Sequence, residues 1–506
     1  MNSSPSHAHR RESPSEPQFD LTVRNGRVVT EGRILECDVG VRDGRIAAIG
    51  PGLARGLRDI DAAGRWVLPG GVDSHCHIEQ YSGMGMLCAD DFYSGTVSAA
   101  FGGTTTVIPF AAQHRGMAIP QVLAAYGALA EPKAVIDYGF HLILTNPDEQ
   151  TLAHDLPRAI RDGVTSLKVY MTYDRMKLDD FQLLEVMAIA RREGAVMMVH
   201  AENHDIIKWL AQRLIERGHG LPKFHGLAHD PLAEAEATNR AIALSRIVDT
   251  PMLIVHVAGA DTVEVIRSAR RLGAQVLAES CPQYLFLQAE DLDRAGLEGA
   301  KFCCSPPPRD GQSQEAIWRG LIDGTLTTYS SDHAPYRFDA SGKLPKGDAT
   351  TFKDVANGVP GLELRMPLLF SEGFLKGRID IHQFVALTAT NHARLYGLAP
   401  QKGTIAVGAD ADLALWNPER ETRITAEALH DRVGYTPYEG RVIKGWPEVV
   451  LSRGRVVVED GQLHAEPGSG RYLRRASPEI MSSRRPDAPV PGRPHGRVLK
   501  ALAGLS

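Results

Sequence analysis

The chain has 506 residues, 43% of them apolar and 23% charged, with a formal net charge of -5. That length holds one large domain and a smaller one around a sizeable core, and the near-balanced charge gives no electrostatic reason for a nucleic-acid or membrane-surface partner. The six cysteines (Cys37, Cys76, Cys88, Cys281, Cys303, Cys304) show no CxxC spacing and no disulfide-framework density, so they read as reduced, buried thiols of a cytoplasmic protein.

Residues 1–17 are polar, lack the apolar stretch of a secretory signal, and are expected to form a disordered leader. No window approaches the ~18 apolar residues of a membrane span. From 21 to 50 apolar and polar residues alternate, and Asn25-Gly26 and Asp43-Gly44 predict tight hairpin turns. Residues 403–418 and 449–463 repeat that pattern far downstream. Segments 18–68 and 397–464 are therefore expected to assemble one small sheet domain from both ends of the chain. Between them, over 69–396, the period changes. Eight short apolar runs are candidate strands: 66–73, 104–110, 138–144, 166–171, 195–200, 252–257, 274–280 and 325–332. Helical patterns such as DFQLLEVMAIARREG and AEAEATNRAIALSRIVD separate them. Eight strands alternating with helices predict an α/β fold with a parallel sheet, and eight is the number that closes a (β/α)8 TIM barrel. An open doubly wound sheet is the second architecture; no GxGxxG follows the first strand to support its dinucleotide-binding form. The Gly-rich FGGTTTVIP (101–109) reads as a close-packing turn into a strand, since no lysine follows to make a phosphate loop. Residues 465–506, rich in Pro, Gly and Arg, are either an arm laid on a neighbouring subunit or a disordered tail.

His75 and His77 stand two apart at the end of the first barrel strand, so both imidazoles point to one side. His200, His256 and Asp332 also fall at or near strand ends, where a barrel builds its active site. Lys168 lies inside an otherwise apolar strand, where a lone ammonium is costly. Either it pairs with a carboxylate, or its amine has reacted with CO2 to give N6-carboxylysine, a carbamate able to bridge two cations. With the latter, two divalent metals are expected: Zn2+ first, with Mn2+, Fe2+ or Co2+ as alternatives. Asp332 is then placed to bind metal and to carry a proton from an attacking water to a leaving nitrogen. Tyr173, five residues after Lys168, either stabilises the oxyanion or is a rim aromatic. CCSPPPR (303–309) and ANGVPG (356–361) read as loops at the mouth, with Ser305 and Asn357 offering groups to a small-molecule ligand; His333 is either a partner behind the ligands or a packing residue.

GGVDSHCH, GVTSLKVYMTY, VMMVHAEN, LAEAEATNRAI, LIVHVAG, AESCPQYL, CSPPPR, SSDHAP, NGVPGLELR and KGTIAVGADADLALWNP fall in order over roughly residues 20–465. Together they resemble the dihydropyrimidinase/hydantoinase branch of the amidohydrolase superfamily. The resemblance implies a (β/α)8 barrel with a small β-sandwich from the two ends, and a homotetramer. It implies one metal on His75, His77, Lys168 and Asp332 and a second on Lys168, His200 and His256. Oxyanion help from Tyr173 and contacts from Ser305 and Asn357 to a cyclic ureide are implied too. The activity implied is hydrolytic opening of a dihydropyrimidine or 5-substituted hydantoin to the N-carbamoyl amino acid. Allantoinase, a cyclic-imide hydrolase and an inactive scaffold of the same fold are the alternatives. The chain departs from the family just after the HxH pair, where Glu79, Gln80 and Tyr81 replace an apolar stretch expected to line the pocket. Dihydroorotase-like proteins carry an arginine at the Glu79 position, which argues against that activity.

Overall fold

A computed structural model describes residues 18–482; the leader expected at 1–17 and the tail from 483 onward lie outside the described residues. Asp43 and Gly44 both have positive φ (51° and 74°) and join the antiparallel strands Arg33–Arg42 and Arg45–Gly50, the two-residue turn their sequence predicts. Arg453-Gly454 and Asp460-Gly461 turn in the same way downstream. Asn25-Gly26 does not. It lies inside the long strand Phe19–Thr30 as a bulge, and the hairpin turn falls instead at Glu31-Gly32. The Asp38 carboxylate accepts from Asn25 N at 2.9 Å and holds the bulge, across which the strand passes from Gly56–Asp61 to Trp66–Pro69 as its parallel neighbour.

Nine strands from the two ends of the chain form one sheet. Its seam is the antiparallel pairing of Trp66–Pro69 with Leu413–Trp416. Val23, Val39, Val67, Leu413 and Leu451 belong to an apolar cluster of its own, separate from the main core. The run expected as one strand over 66–73 is divided. Trp66–Pro69 joins this sheet and Gly71–Asp73 begins a parallel one. Between them a Cβ on Gly70 would lie 2.2 Å from Thr105 Oγ1, so the crossing from one sheet to the other needs a glycine.

Gly71–Asp73, Thr104–Val107 and Asp137–Tyr138 pair in parallel. After two residues the second and third continue as Phe110–Ala112 and His141–Ile143, and the parallel order runs on through Ser166–Tyr170, Val196–His200, Met252–Ile254, Val276–Ser280 and Thr328–Tyr329. The sheet curls, and beyond its last strand His333 forms a parallel bridge to Cys76 beyond its first. All eight predicted runs thus contain strand. Helices Asp180–Glu193 and Pro231–Ile247 occupy the predicted helical segments; the first opens on a capping box between Asp179 and Gln182. Among the described residues no helix is long and apolar enough to cross a membrane.

A buried charge cluster ties the sheets together. Buried Lys402 reaches Asp137 (2.7 Å), Asp410 (3.0 Å) and Asp412 (2.7 Å), joining the third parallel strand to the entry of the terminal sheet. Residues 465–482 make contacts along their own chain. There the Arg475 guanidinium is buried and donates to Ser166 Oγ (2.7 Å) and to the Phe140 carbonyl.

Candidate metal centre

His75 and His77 follow the strand Gly71–Asp73, Lys168 lies mid-way along Ser166–Tyr170, and His200 ends Val196–His200. His256 lies two residues past Met252–Ile254, and Asp332 three past Thr328–Tyr329. All six line one cavity of about 680 Å³, solvent at its mouth included. His256 (φ 37°), Asp332 (46°) and Tyr173 (71°) hold left-handed backbone conformations that such side chains seldom adopt, each costing ~1–3 kcal/mol that the surrounding packing must offset.

Hydrogen bonds behind the imidazoles set their tautomers. His75 Nδ1 faces Glu279 Oε1 at 2.5 Å, His77 Nδ1 faces Gln80 Oε1 at 2.8 Å, and His200 Nε2 faces Glu202 Oε2 at 2.7 Å. Each of these nitrogens donates outward to an oxygen, so the other ring nitrogen presents its lone pair to the cavity. The lone pairs converge. His75 Nε2 and His77 Nε2 lie 3.1 and 3.4 Å from Asp332 Oδ1, and His200 Nδ1 lies 2.9 Å from His256 Nε2. One donor atom each of His75, His256 and Asp332 falls within 4.8 Å of the others. A set of imidazole nitrogens and a carboxylate directed at one small volume is the donor chemistry of a divalent-cation site, and the residues present fit such a group.

Lys168 is fully buried, between the rings of Phe110 and Tyr170 at 5.2 Å each. Its amine meets His75 Nε2 at 3.4 Å and forms no ion pair with a carboxylate among the described residues. Burial pushes it down to about 8, against the opposing pull of Asp332 and Glu279. No salt bridge among the described residues accounts for this lysine. Burial alone would raise the Asp332 carboxyl; the imidazoles of His75, His77 and His256 outweigh it and hold the group well below the usual range.

Tyr173 stands on the cavity wall with its ring 5.4 Å from that of His200, and Ser305 and Asn357 line the same cavity. Ser305 Oγ donates to Glu202, so its hydroxyl proton is committed inward. Asn357 Oδ1 is buried without a donor among the described residues. The loops carrying these two residues are stitched by a lysine that no sequence pattern flagged. Fully buried Lys343 donates to the carbonyls of Cys303 (2.8 Å), Ala356 (2.7 Å) and Gly358 (2.6 Å).

Of the three unusual residues after the HxH pair, only Gln80 reaches the cavity. Glu79, at φ 50°, turns away to Lys133 (2.5 Å) and to Phe92 N, and Tyr81 is exposed. The expectation that all three line the pocket is corrected accordingly. His333 stays behind the site: its Nδ1 accepts from Gly361 N, its Nε2 donates to Asp90 (2.9 Å), and its carbonyl accepts from His77 N. Sequence reasoning assigned no role to Glu202 or Glu279, and placed Gln80 at the pocket without its contact to His77. The first two stand inside the motifs VMMVHAEN and AESCPQYL, which was the available signal.

Residues 66–457 match the Amidohydrolase family. A D-hydantoinase of Ralstonia pickettii is 41% identical over 458 residues, covering 90% of this chain and 99% of that protein. One of Geobacillus stearothermophilus is 44% identical over 457 residues, 90% and 96% of the two chains. The crystal structure of dihydropyrimidinase from Brevibacillus agri superposes with a TM-score of 0.88 at 40% identity, over 92% of this chain and all of that one.

Proposed function

The chain belongs to the amidohydrolase family, in its hydantoinase branch, and from that premise we propose that it opens a dihydropyrimidine or 5-substituted hydantoin ring to the N-carbamoyl amino acid. It is a cyclic amidohydrolase, and its family implies divalent metal. The observation that carries the reading is the convergence of the His75 and His77 lone pairs on Asp332, with His200 and His256 facing each other across the same cavity and a buried lysine that has no counter-ion among the described residues.

We assign one metal to His75, His77, Lys168 and Asp332, the second to Lys168, His200 and His256, and N6-carboxylysine to Lys168. Zinc suits this donor set best. Two such cations supply Lewis acidity and bring the pKa of water toward neutrality. Asp332, held as a carboxylate by its imidazoles, takes the proton of the attacking water and delivers it to the leaving ring nitrogen. The Tyr173 phenol donates to the ring carbonyl oxygen as it gains negative charge. With the Ser305 hydroxyl committed to Glu202, Ser305 offers its backbone to the ring, while Asn357 Oδ1 is an acceptor for a ring N–H. Nothing favours an inactive scaffold, because all six ligand positions are filled by competent residues.

We read the curled sheet as a closed (β/α)8 barrel over 69–396 and the terminal sheet, 18–68 with 397–464, as a β-sandwich; the His333–Cys76 bridge and the separate apolar cluster support these. We also propose a homotetramer, for which Phe181, Trp209, Leu227 and Leu232 stand exposed on neighbouring helices, and a cytoplasmic setting, which six unpaired thiols suit.

A substrate panel tests the function: dihydrouracil, dihydrothymine, D- and L-phenylhydantoin, allantoin and succinimide, followed by loss of ring absorbance. A dihydropyrimidine or hydantoin is expected to turn over fastest; faster opening of allantoin or succinimide moves the assignment to that ring. Lys168→Ala is expected to lose bound metal and turnover together, and retention of both refutes the bridging role.

A further inference from the structure

A second cavity opens beside the catalytic one and shares its wall, since Gly83, Met84, Tyr173 and Asn357 line both. It encloses about 1180 Å³, solvent at its mouth included, so the combined space far exceeds a bare five- or six-membered ring. Its floor is apolar, with Ile207, Ala211, Ala228 and Phe352. Its rim is basic. Arg175, Lys208 and Lys353 line it against a single acid, Asp174. That acid is already engaged by Lys208 (3.2 Å) and His204 (3.1 Å). Arg175 and Lys353 form no ion pair with a carboxylate among the described residues, and two unpaired cations at the mouth of an apolar chamber set a positive local potential.

Resting on the ring-opening reading above, we propose that this side chamber receives the ring substituent and prefers an apolar stem ending in an anionic group, a carboxylate or similar. Tyr173 and Asn357, assigned there to the ring, line both cavities, so the chamber is the space next to a ring held by them. The stem covers the floor while the anion meets Arg175 and Lys353 at the rim.

The experiment compares kcat/KM for 5-(4-carboxyphenyl)hydantoin with its neutral methyl ester and with 5-phenylhydantoin, at low and high salt. The acid is expected to be favoured over its ester by about threefold to tenfold at low salt, the range two partly exposed ion pairs supply. That ratio is expected to shrink at about 0.5 M salt, where screening acts over a few ångströms, and to vanish in the double variant Arg175→Gln/Lys353→Gln. Equal rates for acid and ester, or a ratio that survives in the double variant, overturn the inference while leaving the ring-opening reading intact. If no hydantoin in the panel is opened, the reading itself fails and this inference with it.

Discussion

At the scale of single residues, the imidazoles of His75, His77 and His200 each owe their orientation to an oxygen behind them. Glu279 does the most: it faces His75 Nδ1 at 2.5 Å, accepts from His256 N at 3.2 Å, and is itself held by Ser330 Oγ at 2.6 Å. Glu279→Gln keeps the shape but removes the carboxylate that fixes the His75 tautomer. Metal affinity is expected to fall about 10- to 100-fold, read by titration of the metal-free protein, as for other ligand-orienting partners. Unchanged affinity would mean that His75 is oriented by its neighbours in the strand alone. The six residues proposed as ligands were legible in the sequence because strand-end position is a local property for five of them and Lys168 interrupts an otherwise apolar strand. Their supports were not: Glu279 is 204 residues from His75, and only the fold brings them together. Glu79 misled for the opposite reason. It is adjacent to the site in sequence, but a left-handed φ of 50° turns its side chain to Lys133.

Among elements, the mouth of the site is built from irregular loops, and Lys343 does for them what hydrogen-bond ladders do for strands. Its amine binds Cys303, Ala356 and Gly358 through their carbonyls, fixing the segments that present Ser305 and Asn357. Lys343→Met fills similar volume but leaves the buried carbonyls of Ala356 and Gly358 without donors, while Cys303 keeps only Gly358 N. A loss of about 2–4 kcal/mol is expected in denaturant melts, with KM for the ring substrate rising more than kcat falls. A variant that loses stability but keeps its KM would assign Lys343 to packing alone. The strands and helices were readable from period and from Asp-Gly turns. Asn25-Gly26 was not, because the same dipeptide serves a bulge when a carboxylate such as Asp38 satisfies its backbone from across the sheet.

For the whole molecule, the joint between the terminal sheet and the parallel sheet turns on one buried charge cluster. Lys402 binds Asp137, Asp410 and Asp412 together, with Arg453 also on Asp137 at 3.0 Å. Lys402→Met strands buried carboxylates and is expected to cost about 3–5 kcal/mol, seen as a lowered Tm; a Tm within a degree or so of the parent would show that Arg453 suffices. The two-ended sheet was legible because its hairpin patterns recur at both ends, whereas the course of 465–482 along its own chain was hidden by a composition that reads as loose. The two-ended sheet also sets a schedule for synthesis. The edge of Trp66–Pro69 finds its partner only when Leu413–Trp416 has left the ribosome, some 340 residues later. At ordinary elongation rates that is a wait of roughly 20–70 s. Throughout it the nascent chain carries an unpaired apolar strand edge open to any neighbouring strand, so crowding of nascent chains bears on the yield of active enzyme before any property of the finished site does.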